Sequence, residues 1–406
     1  MQRLPLQGIR VVDFCHVWAG PHATHWLSTM GAEVIKVESE LRPDLTRHYY
    51  SMGRKLIPGM NKSVDFAVFN YGKKSCTLNM THSKAREIAK EIIEISDVVT
   101  ENFGGPVMDR WGLGYQDLKE LKSDIIMYSG SGFGRTGPYN NFPAYAPIVD
   151  AFCGFTSMNG YYKSEPLPFG VGGWTDIAAA QHGAFSILVA LYHRSKTGEG
   201  QYIDLSMTEM ACATLPYPAM DYAINKRVQE RQGNRDNLIA PHGCYPCKSD
   251  DEWIAIAVSN EDEWRAFCIA TGHPEWEVDK RFNNNLNRWK NQKELDQLIS
   301  EWTKDHTQND VMGLLLKAGV MAGASLKING VIEDQNLNKR GFFIDVDQAD
   351  MGTVRIARLP WKMSNTLQKD NVHTPSLGEH NDYVFGELLG MTDDEISKLK
   401  AEQVIQ

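Results

Sequence analysis

The stretch from Gly8 to Glu38 restricts the fold more than any other part of the chain. Gly8-Ile-Arg-Val-Val-Asp-Phe14 reads as a strand rich in β-branched residues. Pro21, after Gly20, suits the first turn of a helix, and Gly31 stops that helix just beyond Met30. Ala32-Glu-Val-Ile-Lys-Val-Glu38 is a second strand. Such a β-α-β unit calls for a parallel sheet with crossover helices. The alternation continues through a helix from Ser83 to about Ser96, the strand Asp97-Val-Val-Thr100 and the strand Asp124-Ile-Ile-Met-Tyr-Ser129. A doubly wound, Rossmann-like α/β fold is predicted.

At 406 residues the chain exceeds one ordinary core, so two domains are expected. Residues 1–221 form the large α/β part. Thr175 is a plausible N-cap with Asp176 in the first turn of a helix. Ile177 to Tyr192 is apolar around most of its circumference, which predicts a buried helix ending at His193, Arg194, Lys196 and Gly198. Gln201 to Met207 alternates as a strand does. Residues 222–240 are polar and read as a linker. Residues 241–325 form a smaller α+β unit, with a strand near 253–258 and helices near 261–271, 292–304 and 308–318. Residues 326–375 return through short strands, and Thr392, with Glu395 three residues on, caps a terminal helix to Glu402.

Composition excludes several classes. Hydrophobic residues at 42% and charged residues at 23% are ordinary for a globular protein. A net charge of −9 speaks against nucleic acid as a partner. No apolar run reaches the roughly 18 residues a membrane helix needs. Met1-Gln-Arg-Leu-Pro-Leu-Gln-Gly8 has no apolar signal region, so a cytoplasmic enzyme is expected. The seven cysteines are scattered and odd in number, which fits free thiols. Cys244-Tyr-Pro-Cys247 lacks the second pair of a zinc site and leads into a strand, so it is read as two buried thiols beside a turn, and no metal site is predicted.

Glycine motifs narrow the chemistry further. The turn after the first strand, His16-Val-Trp-Ala-Gly-Pro21, has one glycine where a dinucleotide fingerprint has three. Gly130-Ser-Gly-Phe-Gly-Arg-Thr-Gly137 lacks the Lys-Ser/Thr of a P-loop and reads as a loop over a pocket. Asp176 has two readings. Any helix gains from an acid in its first turn. A carboxylate at the start of an apolar helix is also a positioned nucleophile or base, kept ionised by the helix dipole and raised in pKa by desolvation.

The choice is made by a resemblance. Leu6-Gln-Gly-Ile-Arg-Val-Val-Asp-Phe14, Ala19-Gly-Pro21, Gly31-Ala-Glu-Val-Ile-Lys-Val-Glu38, Glu101-Asn-Phe103, Asp176 with Ala190-Leu-Tyr-His-Arg-Ser-Lys-Thr-Gly-Glu-Gly-Gln201, and Leu377-Gly-Glu-His380 resemble, in order, the class III CoA-transferases. That family includes formyl-CoA and carnitine CoA-transferases and α-methylacyl-CoA racemases. The resemblance implies a large domain built from both chain ends, with 326–350 as a return linker and 351–406 completing it. It implies an interlocked dimer, either a homodimer or a heteromer with a paralogous subunit. Coenzyme A or acyl-CoA is then a substrate, a carboxylic acid is the other partner, and no cofactor is tightly bound. Asp176 falls on the family's catalytic aspartate. The CoA contacts fall on Val17, Trp18, Ala19, Arg47, Lys73, Lys74, Asn102, Phe103, Arg110 and Met207. Arg47, Lys74 and Arg110 suit the phosphates of CoA, and Trp18 and Phe103 its adenine or pantetheine. Tyr145, Gly132 and Phe133 are expected in the substrate pocket.

Departures refine the expectation. The tetraglycine loop of formyl-CoA transferase is missing, its arginine after the second strand is Ser39, and its entrance glutamine is Trp18. Trp18, Phe14, Tyr145, Phe155 and Phe169 suggest a larger, partly aromatic acid. Pro241 to Cys247, followed by Trp253-Ile-Ala-Ile-Ala-Val258, resembles the branch acting on aryl or substituted-succinate acids such as benzylsuccinate. The racemase branch pairs its aspartate with a histidine where this chain has Tyr145, and a phenol of ordinary pKa near 10 replaces it poorly. Transfer from a donor such as succinyl-CoA, through an aspartyl anhydride and an aspartyl-CoA thioester, is therefore expected. Racemisation, an intramolecular CoA shift and a non-catalytic partner subunit are the alternatives.

Overall fold

A computed structural model describes residues 4–50, 55–56, 59–167, 173–348, 351–366 and 373–406. The chain divides into two units. The larger comprises Met1–Phe155, Phe169–Lys226 and Gly341–Gln406; the smaller comprises Thr156–Pro168 and Arg227–Arg340.

Six strands form the sheet of the larger unit: β1 (Arg10–Asp13), β2 (Glu33–Glu38), β3 (Lys74–Thr77), β4 (Val98–Glu101), β5 (Ile126–Ser131) and β6 (Tyr202–Ser206). Their order is 3-2-1-4-5-6, and every neighbouring pair is parallel. Strand order reverses between β1 and β4, which makes the switch point of a doubly wound sheet. Both sheet faces are buried, so successive residues on a strand are both apolar. Val12, Ile35, Val99 and Met127 face one way, and Val11, Val34, Val98 and Ile126 the other.

Helices cover the two faces: α1 (Ala19–Thr29), α2 (Ser83–Glu94), α3 (Ala146–Phe152), α4 (Trp174–Thr197) and α5 (Met207–Ala213). Ile88 and Ile92 of α2 pack on the first face together with Val384, Phe385 and Leu399 from the other end of the chain. Backbone bonds add to this closure, including Asn79 N–H to Val404 O at 2.9 Å. The C-terminal helix α9 (Asp393–Ala401) has the capping box predicted from Thr392 and Glu395.

On the second face, Ala23 and Leu27 of α1 pack beside Ala180, Ala184 and Ile187 of α4. Gly183 lets α4 approach Tyr128: a Cβ there would lie 2.8 Å from the phenol oxygen. The expectation that α4 is buried all round is corrected. Phe185, Leu188, Val189 and Tyr192 lie on one helical stripe, and Phe185 is 68% and Tyr192 67% exposed. Helix–sheet packing uses only the small-residue side of the helix. Thr175 is not the N-cap either: the cap is Gly173, in the left-handed region at φ +94°, and the helix begins at Trp174.

In the smaller unit an antiparallel sheet of β7 (His242–Pro246), β8 (Trp253–Ala257) and β9 (Met321–Ala324), with β8 central, packs on α6 (Glu261–Thr271), α7 (Gln292–Thr303) and α8 (Gln308–Lys317). Ile254, Ile256, Trp264, Phe267, Leu295 and Leu315 form its core. Cys244 lies within β7, half-buried, and Cys247 follows it, buried. The segment read as a linker from 222 begins inside a helix, Pro216–Asn225. The return segment contains the helices Ile328–Glu333 and Gln335–Lys339 before the hairpin Phe343–Gln348 and Gly352–Ala357. Their patterns are too short to separate from strands by period alone.

Candidate active site

At the carboxyl ends of β1, β4 and β5 lies a cavity of about 310 Å³. Its walls are the turn after β1 (His16 to Gly20), the turn after β4 (Asn102 to Gly104), Gly130 to Gly132, and the side chains of Tyr145, Asp176 and Met207. Open α/β sheets bind ligands at this position, because the connections diverge there to opposite faces.

The turn after β1 is strained and firmly held. Val17, a β-branched residue, sits at φ +72°. Its N–H donates to Asp44 Oδ1 at 3.1 Å. His16 N–H donates to Asn102 Oδ1 at 2.8 Å, and Asn102 Nδ2 donates back to His16 O at 2.8 Å. Beneath the turn is a network of buried charges. Asp13, at the end of β1, accepts from Thr24 Oγ1 at 2.7 Å, Lys73 Nζ at 2.9 Å and Thr100 Oγ1 at 3.0 Å. Lys36 pairs with Asp44 at 3.0 Å and donates to Cys15 O at 2.6 Å. Burial alone would push the Asp13 carboxyl up, but Lys73 and Lys36 outweigh it and hold its pKa at about 2.

Two expected CoA contacts are corrected by this network. Arg47 is fully buried and donates to both Glu38 oxygens, at 2.8 and 2.7 Å, with its guanidinium 3.5 Å from the Phe66 ring centre. Lys73 is equally enclosed, donating to Asp13, to Pro21 O at 2.8 Å and to Asn70 Oδ1 at 2.9 Å. Both charges are consumed inside the protein, where each carboxylate demands a partner.

Asp176 stands in the first turn of α4 and enters the cavity opposite the turn after β1. Burial raises its pKa, the Asp150 carboxyl on α3 adds to the rise, and the N–H of Ala19 partly offsets it, leaving about 7. The rise expected from desolvation is present, and the like charge of Asp150 adds to it. Asp150 is itself buried.

Nine predicted residues line the one cavity: Val17, Trp18, Ala19, Asn102, Phe103, Gly132, Tyr145, Asp176 and Met207. Asn102 contributes its backbone and a carboxamide already committed to His16. Phe133 is corrected as a pocket residue, since it packs among Tyr139, Phe142 and Phe152. Phe14 is core, and Phe155 packs on Trp174, their ring centres 4.7 Å apart. Phe169 lies outside the described residues. Lys74 is half-buried with Nζ 4.1 Å from the Tyr383 ring centre, Arg110 is exposed, and neither lines this cavity. The glycine-rich segment is anchored: Gly132 O accepts from Thr208 N–H at 2.9 Å and Thr208 Oγ1 at 2.7 Å. Sequence reasoning missed His16, Tyr128 and Ser131 in the wall and Asp150 behind Asp176. Ser131 follows from its place at the end of β5 and His16 from the turn after β1; Tyr128, inside β5, and Asp150 had no local signal.

Fold and cavity together define a doubly wound α/β protein with a cavity at the switch point. The chain belongs to CoA-transferase family III, whose model matches residues 6–381. Succinyl-CoA--D-citramalate CoA-transferase of Chloroflexus aurantiacus is 31% identical over 401 residues, 99% of this chain and 98% of that protein. The beta subunit of succinyl-CoA--L-malate CoA-transferase from the same organism is 31% identical over 406 residues, covering 99% and 98%. A CaiB/BaiF family protein from Brucella suis has the same fold, with a TM-score of 0.86 and 31% identity over 95% of this chain and 100% of that one. The protein is a CoA-transferase of this family.

Proposed function

We propose that this enzyme takes CoA from succinyl-CoA and gives it to a substituted dicarboxylic or aromatic acid, with Asp176 as the acyl carrier. The observation that carries this reading is a carboxylate of raised pKa inside the switch-point cavity, facing the N–H of Ala19. Succinyl-CoA as donor and a dicarboxylic acceptor follow from the names of the two relatives. The rings of Trp18, Phe103, Tyr128 and Tyr145 line the cavity and favour an acceptor with apolar bulk.

An Asp176 oxygen attacks the thioester carbonyl carbon, the C–S bond breaks, and CoA leaves as thiolate, giving a mixed anhydride. The thiolate attacks the Asp176 carbonyl carbon and expels succinate, leaving an aspartyl-CoA thioester. The acceptor carboxylate then attacks that thioester and expels CoA thiolate. The thiolate takes the acceptor's acyl group, and the Asp176 carboxylate is restored. Division into steps lowers each barrier, and a nucleophile with pKa near operating pH is more basic than an ordinary carboxylate.

Trapping tests this directly. Incubation with succinyl-CoA and hydroxylamine or borohydride, followed by peptide mass spectrometry, is expected to mark Asp176 and nothing in Asp176→Ala. Full transfer activity in Asp176→Ala would end the proposal.

One observation favours a second reading. His16 and Asp176 line the same cavity, and burial first, with Lys36 adding to it, lowers the His16 pKa, so a neutral base and an acid share the cavity. Such a pair would serve epimerisation at Cα. Deuterium uptake from D₂O into a 2-methylacyl-CoA distinguishes it, and none is expected if transfer is the activity. Assembly as a dimer, homomeric or with a paralogous subunit, is part of the proposal; support comes from the exposed apolar stripe on α4.

A further inference from the structure

The glycine-rich segment Gly130 to Gly137 is prominent in the sequence, and the steps above leave its arginine without a task. Arg135 does not line the Asp176 cavity. Its Nη2 donates to both oxygens of Glu101, at 2.5 and 2.7 Å, and to Phe103 O at 2.7 Å. Its Nη1 donates to Gly105 O at 2.8 Å. The backbone N–H of the same residue donates to the two oxygens of Asp204, at 2.9 and 3.0 Å. One residue thus ties the carboxyl ends of β4 and β5 to the middle of β6. The side chains of Arg135 and Glu101 are 14% and 2% exposed, so solvent competes little for these bonds.

What Arg135 holds is the wall of the cavity. Glu101 and Gly105 bracket, and Phe103 lies within, the turn whose residues Asn102 to Gly104 line the cavity. Asn102 in turn fastens both backbone groups of His16, and the next residue is the strained Val17, followed by Trp18 and Ala19. A continuous path of hydrogen bonds and peptide links therefore joins the Arg135 guanidinium to the N–H that faces Asp176. A simple structural ion pair would need only the Glu101 carboxylate. Two further bonds to carbonyls of the turn need a planar fork, which an ammonium group does not supply.

We propose that Arg135 is a positioning residue for CoA: it fixes the Asn102–Gly104 wall and, through Asn102, the turn carrying Val17 to Ala19. The proposal rests on the cavity being the CoA site. Its test is equilibrium binding of CoA, by calorimetry, to the full chain in its native assembly, comparing wild type with Arg135→Lys, Arg135→Ala and the double variant Arg135→Ala/Glu101→Gln. The double variant removes the unpaired buried carboxylate and so guards against misfolding. Displacing a wall by about an ångström costs on the order of ten- to a hundredfold, so Kd for CoA and KM for succinyl-CoA are expected to rise by that factor in all three. Guanidinium ion at millimolar level is expected to restore part of the binding to Arg135→Ala and none to Arg135→Lys. An Arg135→Lys protein that melts earlier but binds CoA with unchanged Kd would overturn the proposal and leave Arg135 a stabilising residue only. CoA binding involves no acyl transfer, so a failed trap at Asp176 beside a raised Kd in the Arg135 variants, and a successful trap beside an unchanged Kd, separate loss of the covalent mechanism from loss of the Arg135 role.

Discussion

At the scale of single residues, environment overrides identity. Asp176 and Asp13 are both carboxylates near strand or helix ends in one unit. Lys73 and Lys36 hold Asp13 at about 2, whereas burial and Asp150 lift Asp176 to about 7. The consequence for pH is specific. A nucleophilic Asp176 works as carboxylate, so kcat/KM should rise with pH along an acid limb centred near 7. Removing the like charge lowers the Asp176 pKa, so Asp150→Asn should move that limb to lower pH, and a pH–rate profile reads the shift. A limb that stays in place would mean that burial alone sets the value. Arg47 and Lys73 teach the complementary lesson. Their sequence positions match ligand contacts, yet in this structure each meets a buried carboxylate, Glu38 for Arg47 and Asp13 for Lys73. Nothing within a few residues of either announces that partner.

At the scale of elements, periodicity was legible and boundary chemistry less so. Strands β1 and β2, helices α6 to α8 and the capped terminal helix lie where apolar spacing and capping residues put them, because those signals are local. The start of α4 is different. Thr175 has the side chain of a cap, but the left-handed backbone needed there falls to Gly173. Gly173 also answers a tertiary demand, since a Cβ would lie 2.6 Å from Trp18 Cζ3. Gly173→Ala should therefore cost about 1–2 kcal/mol from backbone conformation alone. It should also displace the Trp18 indole, lowering kcat/KM beyond what the change in Tm explains. Normal activity with only a lower Tm would show that Trp18 yields without consequence.

At the scale of the whole molecule, the apolar stripe of α4 stands exposed on the larger unit. Phe185, Leu188, Val189 and Tyr192 recur at helical spacing and remain exposed. An apolar row of this kind on a monomer favours a partner surface. Phe185→Lys combined with Tyr192→Lys is expected to shift the protein to protomer mass in analytical ultracentrifugation while its circular dichroism is retained. Unchanged oligomeric mass would place the contact elsewhere.

The amino-acid sequence alone determined the alternation of strands and helices, the parallel character of the sheet and the ordered set of segments that marks the family. These depend on neighbouring residues and on their order. Tertiary structure alone decided the 3-2-1-4-5-6 strand order, the convergence of nine predicted residues on one cavity, the withdrawal of Arg47 and Lys73 into ion pairs, and the placing of Asp150 behind Asp176. The physical reason is competition. A charged side chain goes to the best partner that folding brings within reach, and that partner sits on another element, Glu38 on β2 for Arg47 and Asp13 on β1 for Lys73.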